Sequence, residues 1–231
     1  MNRIDTKCIK VVGEKITCRY CEGKCIKHGK IGAKQRYRCN ICGRTVIINY
    51  SYNAYKPAIN NRITRLVKEG CGIRSIARLL EISATTVLRR ILTISKNIQK
   101  PAITTGKIYE VDEIRTFYKC KTRLIWLVYA LRKDTKEVGD FATGRRTKKT
   151  LQKVIGTVLL SGPEKIHTDK LSLYNSVIPG NIHDSKRYGT NHIERKNLTL
   201  RTHLKRLNRR TICFSKSLAV FAACLKIYFW S

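Results

Sequence analysis

The chain has 231 residues, which is enough for one domain of ordinary size and one or two small ones. Lys and Arg number 48 against 15 Asp and Glu, so the formal net charge is +33. A field of this strength attracts a polyanion and favours a nucleic-acid partner over an acidic membrane. The sequence contains neither a secretory signal nor an apolar stretch long enough to cross a bilayer. We therefore expect a cytoplasmic, nucleoid-associated protein with no membrane partner.

The first fifty residues contain six of the ten cysteines. Without an export signal these thiols are expected to stay reduced, which favours metal binding over disulfides. Two Cys-x-x-Cys pairs are separated by seventeen residues, and two such turns complete a tetrahedral zinc site. The predicted ligands of this structural Zn²⁺ are Cys18, Cys21, Cys39 and Cys42. We interpret residues 1–50 as a zinc ribbon, with Cys8 and Cys25 left open as further ligands.

Residues 51–100 carry apolar side chains at helical spacing. This spacing predicts helices at Ala58–Glu69 and Ile73–Leu80, and Ser83 is placed to cap a third that runs to about Ile94. Val87 and Ile91 would then face inward. The side chains expected to face outward and meet DNA are Thr85, Thr86, Arg89 and Arg90. We interpret the segment as a helix-turn-helix DNA-binding domain; the alternative is a three-helix bundle with a solvated basic face.

Residues 96–108 are interpreted as a linker, and beyond them strand and helix patterns alternate. Strands are predicted at 109–114, 123–132, 138–143 and 165–169, and helices at 147–160 and 191–207. The order strand-strand-strand-helix-strand-helix predicts a mixed α/β domain over residues 101–231. The fold class expected for the whole chain is therefore multidomain α+β.

Acidic residues are scarce in this C-terminal half, so their positions are informative. Asp112 lies on the first strand, Asp169 at the end of the fourth, and Glu194 on the following helix. Taken singly, each has an ordinary structural explanation: a turn cap, a strand end or a surface ion pair. Glu110 and Glu113 are alternatives to Asp112. Strand alternation would place 110 and 112 on one face and 113 on the other.

Three segments resemble the transposases of insertion sequence one, which are DDE enzymes with a ribonuclease-H-like catalytic domain. They are VDE (111–113), HTDKLSLY (167–174) and residues 185–217. The gap of twenty-four residues between Asp169 and Glu194 is similar to that family's spacing, and its members carry a zinc ribbon and a helix-turn-helix in this order. The resemblance implies that Asp112, Asp169 and Glu194 are catalytic and bind Mg²⁺, as two ions, or Mn²⁺.

The implied reaction is cleavage at transposon ends to free 3′-hydroxyls, which then attack target double-stranded DNA. Paired Mg²⁺ ions suit the charge that builds on the phosphate oxygens in such a displacement. Basic side chains beside the site are expected to follow the DNA backbone, among them Arg195, Arg201 and Lys205. Holding two DNA ends requires a homodimer or larger assembly.

Several roles stay open at this point. Three histidines fall near the acids and either steer a phosphate or serve as structural hydrogen-bond partners: His167, His192 and His203. Two other functions fit parts of the sequence. One is a DNA-binding repressor with a non-catalytic C-terminal half, and the other is a structure-specific nuclease of the same fold.

Overall fold

The computed structural model describes residues 9–12, 15–18, 20–47, 52–56, 58–186, 188–211 and 213–231. The chain divides into two compact units. The first consists of Met1–Asn60 with Leu80–Ile82, and the second of Asn61–Leu79 with Ser83–Ser231. Across the described ranges, every helix falls short of the length and apolarity that a membrane span requires.

The first unit is built from short antiparallel strands. One hairpin pairs β1 (Ile9–Val12) with β2 (Lys15–Cys18). A three-stranded sheet follows in the order β3 (Cys25–Ile31), β4 (Lys34–Cys39) and β5 (Thr45–Ile47). The two Cys-x-x-Cys pairs begin at the last residues of β2 and β4 and end in the turns that follow.

Three helices follow with nearly the predicted bounds: α1 (Ile59–Lys68), α2 (Ile73–Leu80) and α3 (Ala84–Asn97). Ser83 caps α3 as predicted, because its Oγ accepts a hydrogen bond of 3.1 Å from the Thr86 amide. Gly70 ends α1 with a φ of +71°, and a Cβ at this position would lie 1.9 Å from the His203 carbonyl oxygen. Glycine is therefore required both for the turn and for this close backbone approach.

A five-stranded mixed sheet forms the centre of the second unit. Its strands are β6 (Ile108–Phe117), β7 (Leu124–Arg132), β8 (Val138–Gly144), β9 (Lys165–His167) and β10 (His183–Asp184). They lie in the order β10-β9-β6-β7-β8. The first three in sequence are antiparallel, whereas β9 is parallel to β6 and β10 is parallel to β9. The predicted order strand-strand-strand-helix-strand-helix is present, with β10 and a short helix at Ser172–Asn175 as additions before the last predicted helix.

Helices cover both faces of this sheet: α4 (Lys148–Leu159), α5 (Ser172–Asn175), α6 (Asn191–His203) and α7 (Leu218–Trp230). One face of β6 and β7, including Val111 and Val128, packs in a core with α4 and α5. The other face, including Ile114 and Leu127, packs in a core with α6 and α7. Because β6 is buried on both faces, side chains at alternate positions along it reach two different helical layers.

The end of α7 packs against the sheet. Phe229 stacks on Tyr129 with ring centroids 6.0 Å apart, and Trp230 Nε1 donates a 2.7 Å hydrogen bond to the Val138 carbonyl. The helix α3 also packs on α7, so the last helix of the DNA-binding segment belongs to the same compact unit as the sheet.

Candidate active site

Asp112 and Asp169 converge beside the end of β9. In the parallel pairing of β6 with β9, Glu110 lies opposite His167, which places Asp112 level with Asp169 two residues further along. Carboxylate oxygens of Asp112, Glu113 and Asp169 lie within 4.8 Å of one another. Asp169 is exposed, and its Oδ1 accepts a 3.0 Å hydrogen bond from the Leu171 amide. Two acids predicted from separate strands therefore form one group.

The Asp112 carboxylate is held by a chain of hydrogen bonds. Its Oδ1 accepts from the Glu113 amide at 2.7 Å, and its Oδ2 accepts from Asn197 Nδ2 at 2.6 Å. The Tyr129 hydroxyl donates to Asn197 Oδ1 at 2.7 Å, which turns the amide nitrogen of Asn197 toward Asp112. Burial raises the pKa of Asp112 to about 6, and the charges of Glu113 and Asp169 act in the same direction. This carboxylate is thus oriented by its hydrogen bonds, and its charged form is disfavoured by burial and by the neighbouring acids.

Glu110 and Glu113 occupy opposite faces of β6, as the predicted alternation requires. Glu110 is fully buried, lies 2.6 Å from His192 Nδ1 and accepts a 2.8 Å hydrogen bond from the Ile193 amide. It therefore anchors the first turn of α6, where the backbone amides lack partners within the helix. Glu113 lies among side chains of the α4 layer and is bound by Arg146 and Tyr174.

Glu194 lies on the first turn of α6 and is exposed. Its Oε1 accepts a 2.7 Å hydrogen bond from Thr190 Oγ1, and it is not part of the Asp112, Glu113 and Asp169 group. It precedes Asn197 by about one helical turn, and Asn197 contacts Asp112 directly. The structure brings two of the three predicted acids together and holds the third on the helix that covers them.

The three histidines have distinct environments. His192 contacts Glu110, and His203 Nδ1 lies 2.8 Å from the Tyr228 hydroxyl. His167 is buried, with Nδ1 3.8 Å from the Asp184 carboxylate, and burial lowers its pKa. His192 and His203 make hydrogen bonds within the fold. Their geometry fits the structural role, which is one of the two roles that the sequence leaves open.

The four predicted cysteine ligands form a second group. All four sulfur atoms lie within 4.8 Å of one another, with Cys18 Sγ 3.6 Å from Cys42 Sγ and Cys21 Sγ 3.4 Å from Cys39 Sγ. Hydrogen bonds from the amides of Cys42 and Ile41 lower the pKa of Cys39 to about 6. Four sulfur atoms held this close together fit the four-cysteine ligand set of a Zn²⁺ site.

Cys25 differs from these four although it pairs with Cys39 across β3 and β4. Burial raises the pKa of its thiol to about 11, and its sulfur lies 3.9 Å from the Gly23 carbonyl oxygen. The group of four does not include it. Cys8, the other alternative, lies outside the described residues.

Comparison with protein families agrees with this geometry. A family model described as IS1 transposase matches residues 107–229, which is more than half of the chain. The chain belongs to the IS1 transposase family. A second model, described as the InsA C-terminal domain, matches residues 50–95. The IS1 match spans the sheet and all three acids, and the InsA match spans the three predicted DNA-binding helices.

Curated relatives of this IS1-family chain include the InsB protein of insertion element iso-IS1n from Shigella dysenteriae. It is 36% identical over 49% of the chain and 86% of the relative. The InsB protein of IS1 from Shigella flexneri is 42% identical over 47% of the chain and 82% of the relative. An InsB protein of IS1 from Escherichia coli K12 is also 42% identical, over 65% of its own length.

Solved structures with a similar chain path include the HTLV-2 integrase catalytic core domain in complex with magnesium. It is 16% identical, covers 55% of this chain and 86% of that chain, and has a TM-score of 0.38. A simian T-cell lymphotropic virus intasome in complex with PP2A regulatory subunit B56 gamma is 19% identical. It covers 71% of this chain and 66% of that chain, with a TM-score of 0.37.

The helix-turn-helix of this IS1-family chain requires one correction. Thr85 and Arg89 are exposed on α3 as expected, but Thr86 and Arg90 are each only 7% exposed. The expectation that these two face outward is wrong. The buried face of α3 includes the residues that immediately precede Val87 and Ile91, so it is wider than the apolar pattern alone indicates.

The basic residues of α6 and its extension also differ in exposure. Arg195 and Lys205 are exposed, whereas Arg201 is partly buried. Burial lowers the pKa of Arg201, the positive charge of Arg209 adds to the shift, and Asp112 opposes it. The charge of Arg201 therefore interacts with that of Asp112 in this IS1-family chain, whereas Arg195 and Lys205 face solvent.

Sequence reasoning missed the residues that hold the acids in place. Asn197 and Tyr129 orient Asp112, and Arg146 and Tyr174 bind Glu113. No spacing rule links them, because their partners lie between 33 and 85 residues away. The sequence offers one weak indication. Asn197 lies three residues after Glu194 in the predicted helix at 191–207, so both residues fall on the same side of that helix.

Proposed function

We propose that this IS1-family transposase is an Mg²⁺-dependent DDE enzyme that cleaves transposon ends and joins their 3′-hydroxyls to target DNA. The observation that carries the proposal is the meeting of Asp112 and Asp169 beneath the helix that bears Glu194, with Asn197 of that helix bonded to Asp112. The acids come from distant positions in the sequence. Their convergence at an exposed site is what phosphoryl transfer requires.

The donor set fits Mg²⁺. Hard carboxylate oxygens are the ligands this ion prefers, and an exposed Asp169 leaves room for water and a phosphate. The raised pKa of Asp112 reflects burial and like charges that a cation would compensate. Asp112, Asp169 and Glu194 would hold the metal, with Mn²⁺ as a substitute. When bound, the metal would activate the attacking oxygen and stabilise the leaving one.

The protein's own side chains supply orientation and charge. The Tyr129 and Asn197 hydrogen bonds fix the Asp112 carboxylate in one rotamer, so its outward lone pairs keep a constant direction. Arg201 lies close enough to the acids to hold a DNA phosphate beside them, and Arg195 and Lys205 extend the positive surface. The scissile phosphate would therefore be positioned by Arg195 and Arg201 on the same helix as Glu194, and by Lys205 just beyond the end of that helix.

We assign recognition of the transposon ends to the N-terminal half. The exposed side chains near the start of α3, Thr85 and Arg89, are the base-contacting candidates that its burial pattern supports. The partner is double-stranded DNA, both transposon end and target, and synapsis of two ends calls for a homo-oligomer on DNA. We place this activity in the cytoplasm, at the nucleoid.

We further propose a structural Zn²⁺ on Cys18, Cys21, Cys39 and Cys42. Four sulfurs within 4.8 Å of one another match the compact set that a closed zinc site needs. Cys39→Ser should lower the zinc content from one atom per chain to well below one-half. Cys71→Ser, outside the group, is the matched control and should retain the metal. Zinc retained by Cys39→Ser would contradict the assignment.

The test of the enzyme is incubation of the full chain with Mg²⁺ and a labelled transposon-end duplex. We expect both a 3′-hydroxyl cleavage product and joined strands. Asp169→Asn should abolish both, whereas Asp134→Asn, a surface acid paired with Lys107 and Arg132, should leave both intact. Cleavage without joining would favour the structure-specific nuclease. Binding without either product, unchanged by Asp169→Asn, would favour the repressor.

A further inference from the structure

Three polar side chains from different elements meet on the face of β6 opposite Asn197. Glu113 on β6 has a side chain that is 1% exposed. Its Oε1 accepts a 2.7 Å hydrogen bond from Arg146 Nε, and its Oε2 accepts a 2.5 Å hydrogen bond from the Tyr174 hydroxyl. The Arg146 guanidinium also lies 4.6 Å from the centre of the Trp126 ring. We call Glu113, Arg146 and Tyr174 the clamp.

The clamp connects the two chain segments that carry the converging acids. Glu113 immediately follows Asp112, and its amide is the donor to Asp112 Oδ1. Tyr174, on α5, lies five residues after Asp169 and is fully buried. The short hydrogen bond between Glu113 and Tyr174 therefore ties the Asp169 loop to the strand of Asp112. Since β9 ends at His167, Asp169 itself lies beyond the hydrogen bonds of the sheet.

We propose that Glu113 is a positioning residue that sets the separation of Asp112 and Asp169 through Tyr174 and Arg146. The inference rests on the proposed function, because the separation matters only if the two acids share a metal. A buried carboxylate is costly unless it is paired and hydrogen-bonded. Arg146 supplies the opposite charge and Tyr174 the second hydrogen bond, so both oxygens of the buried Glu113 carboxylate have partners within the protein.

The alternative role for Glu113 is that of a direct metal ligand, since its carboxylate lies within 4.8 Å of Asp112 and Asp169. Both of its oxygens already accept hydrogen bonds, and one donor is the Arg146 cation, whereas the two donors to Asp112 are neutral; the ion pair opposes a ligand role for Glu113. The two roles predict opposite effects when Tyr174 loses its hydroxyl. If Glu113 positions the two acids, loss of the hydroxyl loosens the clamp and weakens metal binding. If Glu113 is itself a ligand, loss of the hydroxyl frees its carboxylate, and metal binding is unchanged or strengthened.

The experiment measures Mn²⁺ affinity of the zinc-loaded full chain by electron paramagnetic resonance of the free ion. Tyr174→Phe should weaken binding about tenfold, the lower end of the loss that follows when hydrogen bonds supporting a metal site from outside its ligands are removed. The matched control is Tyr109→Phe, which is equally buried in the same core but donates to the Thr104 carbonyl, away from the acids. It should bind Mn²⁺ as the unmodified chain does.

Two further variants keep the result interpretable. Arg146→Lys retains the positive charge but loses the planar guanidinium, and we expect about threefold weaker binding, with the exposed Arg145→Lys unchanged.

Asp169→Asn tests the metal site itself. If it leaves Mn²⁺ binding unaltered, the proposed function falls and the clamp with it. If it abolishes binding while Tyr174→Phe matches Tyr109→Phe, the clamp alone is overturned. Tighter binding by Tyr174→Phe would also overturn it.

Discussion

The cysteine group and the carboxylate group are both candidate metal centres, but the chain assembles them in different ways. The cysteines come from two tight turns of one small β-structured segment, so neighbours in sequence supply each pair. The acids come from β6, from the loop after β9 and from the start of α6, and no two of the three are close in sequence. The position of the cysteine group therefore follows from local spacing in the sequence, whereas that of the carboxylate group follows from the register of strands far apart in the sequence.

The two groups also differ in their exposure and in their hydrogen-bond partners. Cys18 and Cys39 are almost fully buried, which suits a closed site whose metal holds a segment together. Asp169 and Glu194 are exposed, which leaves positions for substrate, and Asp112 is oriented by side chains from α6 and β7. These differences suit the proposed stabilising metal in the first unit and the proposed reactive metal in the second.

The largest expected effect is the loss of structure on zinc removal. A structural zinc contributes on the order of 10 kcal/mol to a small domain, so chelation should unfold the β-structured segment at residues 15–47. Circular dichroism should lose the part of its strand signal that comes from this segment, and the four thiols should become reactive, while the five-stranded sheet of the second unit keeps its signal. The fluorescence of Trp126 and Trp230 should not change, because both belong to the second unit. A parallel change in tryptophan emission would contradict the local role of this metal.

The difference between the two centres also explains what was predictable from sequence. The zinc ligands follow from two Cys-x-x-Cys pairs, and the helix α2 has the predicted bounds, because both features depend on short-range spacing. The strand β6 was also placed correctly, and its alternation separated Glu110 and Asp112 from Glu113. The grouping of Asp112, Asp169 and Glu194 into one predicted site rests instead on the resemblance to a known family.

Other features depend on tertiary contacts that no local pattern encodes. The burial of Thr86 and Arg90 depends on how wide a face of α3 is covered, which the positions of Val87 and Ile91 alone do not fix. The elements α5 and β10, of four and two residues, are too short to produce a periodic signal. Glu110 was weighed as a substitute for Asp112, yet the fold uses it to bind the first turn of α6.

The next effect in size concerns pH. The pKa of Asp112 rises from 3.8 to about 6 on folding, so between these values the folded chain keeps a proton that the unfolded chain releases. The contribution of Asp112 to stability should therefore fall as the pH rises from about 4 to 6 and stay level above that. The difference corresponds to about 3 kcal/mol at most.

This dependence can be measured by urea unfolding, followed by tryptophan fluorescence in magnesium-free buffer. Asp112→Asn removes the titrating group, so the stability of the variant relative to the unmodified chain should increase across the same pH range. Adding Mg²⁺ at pH 7 should stabilise the unmodified chain and not the variant. If the stabilities of the two proteins change with pH in the same way, the pKa of Asp112 is not raised on folding.

A smaller effect is expected from Asn197→Ala, which removes the 2.6 Å hydrogen bond to Asp112. Strand-transfer rate should fall about tenfold, and the Mg²⁺ concentration for half-maximal rate should rise, because the carboxylate loses its fixed rotamer. Asn208→Ala, at an exposed position beyond α6, is the control and should match the unmodified chain. An unaltered Mg²⁺ dependence in Asn197→Ala would mean that orientation of Asp112 does not limit the reaction.

The smallest effect is expected from Cys25→Ser. Its thiol lies beside the cysteine group, but burial raises its pKa to about 11, so it stays protonated while the pKa of Cys39 is lowered. Zinc affinity, measured by competition with a chromophoric chelator, should change less than about twofold, and burying a hydroxyl should cost about 1 kcal/mol of stability. A hundredfold loss of affinity would make Cys25 a ligand. The cysteine centre would then share ligands across β3 and β4 and depend on strand register, as the carboxylate centre does.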